Sequence, residues 1–227
     1  MPGQPLMGSV YGAFGKMPGA GDFIRFGLPG DFVSAWDAWL QAGMIEAARH
    51  LGSMWDDAYF SAPIWRFGLP RGAAGRAAML GVVMPSVDRV GRRFPLTLAL
   101  SLPNGASLVG SFLQARAVFV GLEDAALAAL DAATAPADLE RDLSAMTAPL
   151  TASAAESRLG ELVVLHRDAD ADSAADLATA LIGAAADGKS LWCTQTDAGS
   201  VAFAAEALPS PQVFARLMHP FADREPV

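Results

Sequence analysis

The chain has 227 residues, of which 52% are hydrophobic, and its 16 Lys and Arg and 24 Asp and Glu leave a formal net charge of −8. This apolar content is enough for a packed core, and the acidic balance argues against a nucleic-acid-binding protein, whose surface is usually basic. No apolar run reaches the roughly 18 residues that cross a bilayer, residues 1–10 lack the features of a secretory signal, and a single cysteine, Cys193, cannot form an internal disulfide. We therefore expect one cytoplasmic domain over residues 1–227, without membrane insertion.

The first quarter of the chain predicts a strand, a loop and two helices. Ser9–Phe14 alternates weakly between glycines, as a short strand does, whereas Gly15–Asp22 is rich in glycine and indicates a loop. Large apolar residues then recur at three- and four-residue steps, which predicts a helix over residues 31–50 with Asp31 as its N-cap. A second, shorter helix is expected over Ser53–Phe60.

Three apolar segments joined by short turns follow these helices. They predict strands over Ala62–Leu69, Ala77–Met84 and Arg93–Leu102, and the short connections favour antiparallel pairing. Four tryptophans lie at helical and strand positions and are expected in the core: Trp36, Trp39, Trp55 and Trp65.

The C-terminal half, residues 106–227, is more acidic and more variable in pattern. It predicts helices over 107–131, 138–146, 173–186 and 210–218, a strand over 162–166, and a hairpin of 190–194 with 200–203. The pattern does not decide whether residues 134–155 are ordered. Together these elements predict an α+β fold in which helices flank a central, mainly antiparallel sheet.

Motifs that would hold a cofactor are incomplete in this sequence. Gly15-Lys16 is followed by Met17 and Pro18, so a phosphate-binding loop lacks its hydroxyl residue and one backbone donor. The acidic residues 168–172 lack the glycine and glutamate of a calcium loop. The three histidines are not spaced as metal ligands: His50, His166 and His219. We therefore expect no metal, cofactor or small-molecule substrate.

Two loops, residues 15–25 and 84–96, are dense in glycine, proline and charge, and loops of this kind often carry function. Residues 66–93 hold six arginines against one acid, Asp88, which suits a protein partner with an acidic or phosphorylated face. Alternatively, Asp22 or Asp88 pairs with an arginine and locks the loops together. The candidate partner-binding residues are Lys16, Asp22, Arg25, Ser86, Asp88, Arg89 and Arg92.

The two loops belong to long ordered motifs. Gly12–Arg25 reads G-x-F-G-K-x-P-x-x-G-D-F-x-R and Met84–Thr97 reads M-P-S-V-D-R-V-G-R-x-F-P-L-T, with W-D-x-W-L-Q at 36–41 and A-P-x-W-R-F at 62–67 between them. In these motifs the chain resembles the TagF family, also called ImpM, of type VI secretion accessory proteins. The strong matches span residues 11–100. The chain departs from the family at Arg93, where tyrosine is frequent, and at Cys193, where a second aromatic residue is frequent, so the role of Cys193 stays open.

The resemblance implies a cytoplasmic regulator that restrains type VI secretion after translation by binding a forkhead-associated scaffold protein. It also implies an antiparallel sheet with helices on its faces, a longin-like three-layer sandwich. Some members carry a serine/threonine phosphatase domain, but its metal-binding acids are not visible here, so the resemblance implies a non-enzymatic regulatory module.

Two other functions remain alternatives to the regulator. One is a hydrolase that uses Lys16, Asp22, Ser86 and Asp88, which requires these residues to converge in a deep pocket. The other is a structural component of the secretion apparatus. If the loops form the partner interface, charge reversal at Arg89 and Arg92 is expected to weaken scaffold binding with little effect on stability.

Overall fold

The structure is a computed structural model that describes residues 10–147, 155–159, 162–166, 186, 188–197, 199–218 and 220. Its strands are β1 (Tyr11–Gly15), β2 (Ile24–Phe26), β3 (Trp65–Leu69), β4 (Met79–Met84), β5 (Leu96–Ser101), β6 (Ala155–Leu159), β7 (Leu162–His166), β8 (Ser190–Thr196) and β9 (Gly199–Ala205). Seven of them form one antiparallel sheet in the order β2-β1-β5-β4-β3-β8-β9. β6 and β7 pair as a separate antiparallel hairpin.

Helices cover both faces of the seven-stranded sheet. They are α1 (Gly30–Leu51), a 3-10 turn (Gly52–Met54), α2 (Trp55–Ser61), α3 (Leu108–Gln114), α4 (Arg116–Ala128), α5 (Pro136–Ala145) and α6 (Pro211–Met218). α1, α2 and α6 pack together on one face, whereas α3, α4 and α5 pack on the other. The protein is therefore an α+β three-layer sandwich, as the sequence predicted.

The central strands supply side chains to both helical layers. In β4, Leu80 and Val82 join the core under α4, whereas Met79 and Val83 join the core under α1. This alternation follows from the period of two residues in a strand. Because both faces are covered, β4 is apolar throughout its length rather than alternately polar.

Aromatic side chains from distant parts of the chain fill the core under α1. The ring of Trp36 lies 4.6 Å from Trp39, 4.7 Å from Phe67 and 6.1 Å from Trp192, measured between centroids. Phe214 of α6 meets the Trp39 ring edge-to-face at 5.1 Å. This cluster joins α1, β3, β8 and α6 into one core.

Most sequence predictions of the elements are confirmed, including the helix after residue 30, the three strands β3 to β5, the hairpin β8–β9 and the final helix. Trp36, Trp39 and Trp65 are buried, and Trp55 is half-buried against the same core. The predicted helix over 173–186 and the acidic residues 168–172 lie outside the described residues, apart from Ala186.

Two predictions about helices were wrong, and two short strands were missed. Asp31 is not the N-cap of α1; its carboxylate accepts hydrogen bonds from the backbone N–H groups of Phe32 and Arg76, so it ties the helix to the β3–β4 turn. The single helix over 107–131 is broken at Ala115, which lets α3 lie over β3 and α4 over β4 and β5. The short strands β2 and β6 were not predicted at all.

Candidate functional site

The two loops singled out in the sequence meet at one end of the sheet. We call residues 16–23, between β1 and β2, the glycine loop, and residues 85–95, between β4 and β5, the arginine loop. The parent strands β1 and β5 are paired neighbours, with Phe14 opposite Thr97, so both loops leave the sheet side by side. This pairing explains why loops so far apart in sequence come together.

Asp88 of the arginine loop is the centre of this meeting point. Only 2% of the residue is exposed, and one carboxylate oxygen, Oδ2, lies 2.9 Å from Nζ of Lys16 and 2.6 Å from Nε of Arg92. The other oxygen, Oδ1, accepts hydrogen bonds from the backbone N–H groups of Val90 and Arg92 at 3.1 and 2.9 Å. The buried carboxylate thus balances two cations and closes its own loop.

The same contacts fix the charge of Asp88. Burial alone would raise the pKa of its carboxyl group, because the charged form loses water. Hydrogen bonds from Lys16, from the backbone and side chain of Arg92 and from Val90 outweigh burial and hold the pKa well below its usual range. Asp88 is therefore ionised at neutral pH, and the pairing predicted for it in the sequence is confirmed.

Further contacts join the loops directly. The backbone N–H of Arg89 donates to the carbonyl of Ala20 at 2.9 Å, and Nη2 of Arg92 donates to the carbonyl of Gly21 at 2.8 Å. The guanidinium of Arg89 lies over Gly21, where an added Cβ atom would be 2.6 Å from its Nη2. The two loops therefore form one rigid unit, which we call the loop junction.

The base of the arginine loop is anchored to α2. The hydroxyl of Tyr59 donates to the carbonyl of Ser86 at 2.7 Å and accepts from the N–H of Ser86 at 3.1 Å. Arg93 bonds Asp56 at 2.7 Å, and its guanidinium lies 5.2 Å from the ring centre of Phe60. Sequence reasoning did not foresee these anchors, because their partners come from another element and carry no local motif.

The seven predicted site residues fall into two groups. Lys16, Ser86 and Asp88 are buried, so in the folded protein they hold the loop junction together rather than face a partner. Asp22, Arg25, Arg89 and Arg92 are exposed, and the side chain of Arg92 remains 58% exposed although it pairs with Asp88.

Phe23 is a surface aromatic that sequence reasoning placed in the motif but did not select as a site residue. It is 45% exposed, and its ring is held by Phe14 at 5.8 Å and Phe94 at 4.7 Å between centroids. Nζ of Lys16 lies 5.2 Å from its centre. The signal available in the sequence was a large aromatic residue within a polar glycine loop.

Three of the four residues of the hydrolase alternative, Lys16, Ser86 and Asp88, are buried in the loop junction. The hydroxyl of Ser86 is buried and makes no hydrogen bond to any described residue, and Lys16 is engaged by Asp88. A nucleophilic serine needs a base within hydrogen-bond reach, and no residue in the described part of the chain bonds the hydroxyl of Ser86. Among the residues that the structure describes, no cluster of His, Cys, Asp or Glu could hold a metal ion.

A concave region of about 530 Å³ lies beside β8 and α4, away from the loop junction. Arg66 and Glu123 form a bidentate ion pair in its wall, in which Nε and Nη2 of Arg66 lie 2.6 and 2.7 Å from Oε1 and Oε2 of Glu123. Cys193 also lines it, and burial raises the pKa of its thiol, with Glu123 adding to the rise and Arg66 opposing it. Because a reactive cysteine needs a lowered pKa, this thiol resembles a structural one.

Comparisons with known proteins agree with the family resemblance. Residues 12–146 match the TagF N-terminal domain family, described as type VI secretion system-associated. The crystal structure of PA0076 from Pseudomonas aeruginosa PAO1 superposes with a TM-score of 0.82 at 36% sequence identity, covering 96% of this chain and 97% of that one. A search of curated proteins found no match. In the described ranges, no helix is both long and apolar enough to cross a bilayer.

The three-layer fold and the motifs gathered at the loop junction, taken with these matches, define a protein associated with type VI secretion. The matched segment covers more than half of the chain and contains the glycine loop and the arginine loop. The chain belongs to the TagF family.

Proposed function

We propose that this protein is a cytoplasmic, non-enzymatic repressor of a type VI secretion system that acts after translation by binding a forkhead-associated scaffold protein. The proposal combines family membership with one observation, the loop junction. There, buried ionic contacts hold arginine and aromatic side chains at the surface. Side chains that are already ordered lose little entropy on binding, which favours a docking function.

The surface of the loop junction has the composition of a binding site. Arg89 and Arg25 are exposed, Phe23 is 45% exposed and Val90 is 73% exposed. Arginine and aromatic residues dominate the energetics of protein interfaces, and they do so without catalytic geometry. The unpartnered hydroxyl of Ser86 and the mutual pairing of Lys16 and Asp88 favour this role over hydrolysis.

Binding of the purified full-length protein to the purified scaffold tests the proposal. Isothermal titration calorimetry should give a saturable complex, and Arg89→Glu should weaken it at least tenfold while the melting temperature stays within about one degree. Arg116→Glu is the matched control, because Arg116 is also exposed but lies at the start of α4, outside the two loops. Equal binding by both variants would remove the loop junction from the interface.

The effect on secretion distinguishes a repressor from a structural component. Overproduction of the protein should lower release of secreted type VI components without lowering their transcripts, and deletion should raise it. A structural component would behave oppositely, because its deletion would stop secretion, and it would co-purify with the assembled apparatus.

A further inference from the structure

Two exposed arginines, Arg89 of the arginine loop and Arg25 of β2, which follows the glycine loop, lack a carboxylate partner within the described part of the chain. The other cations there are engaged, since Lys16 and Arg92 bond Asp88 and Arg93 bonds Asp56. No described Asp or Glu forms an ion pair with Arg25 or Arg89. Each of these two guanidinium groups therefore keeps its donors available to a partner.

The guanidinium group of each of these arginines lies near a glycine. The guanidinium of Arg89 lies over Gly21, and that of Arg25 lies near Gly30 at the start of α1, where an added Cβ atom would be 3.2 Å from its Nη2. A planar guanidinium can bind both oxygens of a carboxylate through two parallel hydrogen bonds.

Two exposed apolar residues and one exposed acid lie close to these two arginines in the chain. Phe23 and Val90 are exposed next to Arg25 and Arg89 in the chain. Asp22 is also exposed, and its Oδ1 accepts the N–H of Phe23 at 2.8 Å. The carboxylate of Asp22 would repel a compact, multiply charged phosphate more than it would repel dispersed carboxylates. This composition favours a protein segment in which acidic residues alternate with apolar ones.

We propose that the loop junction recognises an acidic segment of a partner protein, with Arg25 and Arg89 binding its carboxylates, Phe23 contacting its apolar side chains and Asp22 limiting its affinity. This inference rests on the proposed function, which supplies the identity of the partner. It adds the chemistry of the surface that the partner presents. Charge complementarity of this kind sets specificity and association rate.

The test uses the 15N-labelled full-length protein and two synthetic twelve-residue peptides, one repeating Glu-Ala-Glu-Leu and the other repeating Lys-Ala-Lys-Leu. The glutamate peptide should shift the amide resonances of the loop junction, and the lysine peptide should not. Binding should weaken as salt rises, because exposed charges are screened. Equal shifts from both peptides, or none from the glutamate peptide, would overturn the inference.

Four variants are expected to change the affinity for the glutamate peptide in different directions. Arg25→Glu with Arg89→Glu should weaken binding of the glutamate peptide at least tenfold, whereas Arg116→Glu with Arg141→Glu, which changes the net charge equally but outside the two loops, should not. Asp22→Asn should tighten binding about two- to fivefold by removing a repulsion. Gly21→Ala should weaken it, because the new Cβ displaces the flexible end of Arg89 without changing any charge. Equal weakening by both double variants, or no gain with Asp22→Asn, would count against the proposal.

The same variants separate this inference from the proposed function. If the scaffold binds the wild type and the Arg25/Arg89 double variant equally well, the acidic-segment inference fails while the repressor proposal stands. If the glutamate peptide binds as expected but the scaffold does not, the recognition chemistry stands and the scaffold is the wrong partner.

Discussion

Asp88 shows how one buried side chain organises the loop junction. Its carboxylate bonds Lys16, two backbone N–H groups and the side chain of Arg92, and these contacts keep its pKa below the usual range of a carboxyl group. A group whose pKa falls on folding contributes stability above its unfolded pKa, about 3.9 for Asp, and loses that contribution as pH falls toward the folded pKa.

Asp88→Asn should therefore destabilise the protein in a pH-dependent way. The variant leaves Lys16 buried without its counter-ion, so its melting temperature should lie below that of the wild type at pH 7. The gap should stay constant down to about pH 5 and begin to narrow as pH falls below about 4. Thermal unfolding followed by circular dichroism from pH 7 to pH 3 measures this difference in melting temperature. Asp124→Asn, at an exposed carboxylate of α4, is the control, and a gap that widened in acid would contradict the argument.

Arg92 and Arg89 should respond differently to charge reversal, although the sequence placed them in one class. Arg92→Glu would bring a carboxylate beside the buried Asp88 and remove the bond to the Gly21 carbonyl, so it should lower the melting temperature. Arg89→Glu should change stability by no more than about 0.5 kcal/mol, as is usual for a surface substitution. Urea unfolding of both variants measures the difference, and equal stabilities would show that the ion pair at Asp88 contributes nothing. The expectation of unchanged stability therefore stands for Arg89 but is revised for Arg92.

The sequence could predict that the loops carry charge and glycine but not which charges are buried. Lys16 and Asp88 belong to different hairpins, so their pairing depends on β1 lying beside β5. The same limit applies to Ser86, whose anchoring by Tyr59 needs the packing of α2. Exposure separates the residues that hold the junction from those that face outward, and exposure is a property of the fold.

At the scale of elements, prediction succeeded where a segment carries its own period. α1 and the strands β3, β4 and β5 have clear helical or extended patterns and were located from sequence. β2 has three residues, of which only Ile24 is buried, so no pattern can form. The position of β8 beside β3 was also unpredictable, because pairing between distant segments leaves no local signal.

Close packing between α1 and α6 predicts how a substitution of Gly43 changes the stability of the protein, and Gly121 offers a matched control. Alanine favours a helix over glycine by about 1 kcal/mol, but a Cβ atom on Gly43 of α1 would lie 2.3 Å from Cγ of Phe214 in α6. Overpacking of a buried ring costs about 1–3 kcal/mol, so Gly43→Ala should be destabilising overall. Gly121→Ala in α4 meets only the terminal methyl of Met146, at 2.7 Å, and should be neutral or stabilising by up to about 1 kcal/mol. Urea unfolding compares the two, and a stabilising Gly43→Ala would show that α6 can shift without loss.

At the scale of the whole molecule, the core extends beyond the segment that matches the family. The match ends at residue 146, whereas β8 pairs with β3 and α6 packs on α1. Trp192 of β8 is 1% exposed, and its ring lies 5.7 Å from Phe67 of β3. Residues beyond the match therefore complete the core under α1.

A fragment of residues 1–147 should consequently fail to fold as a stable unit, although it contains the whole of the matched segment. Without β8 and α6, Trp36 and Trp39 would lose Trp192 and Phe214 and face water. In the full chain, Trp192→Ala should already cost about 3–5 kcal/mol, the usual range for truncating a buried tryptophan. Near-ultraviolet circular dichroism and limited proteolysis of the fragment, beside urea unfolding of the variant, measure both effects. A fragment with a sharp unfolding transition and native tryptophan signals would show that the matched segment is an independent domain, against the single domain expected for residues 1–227.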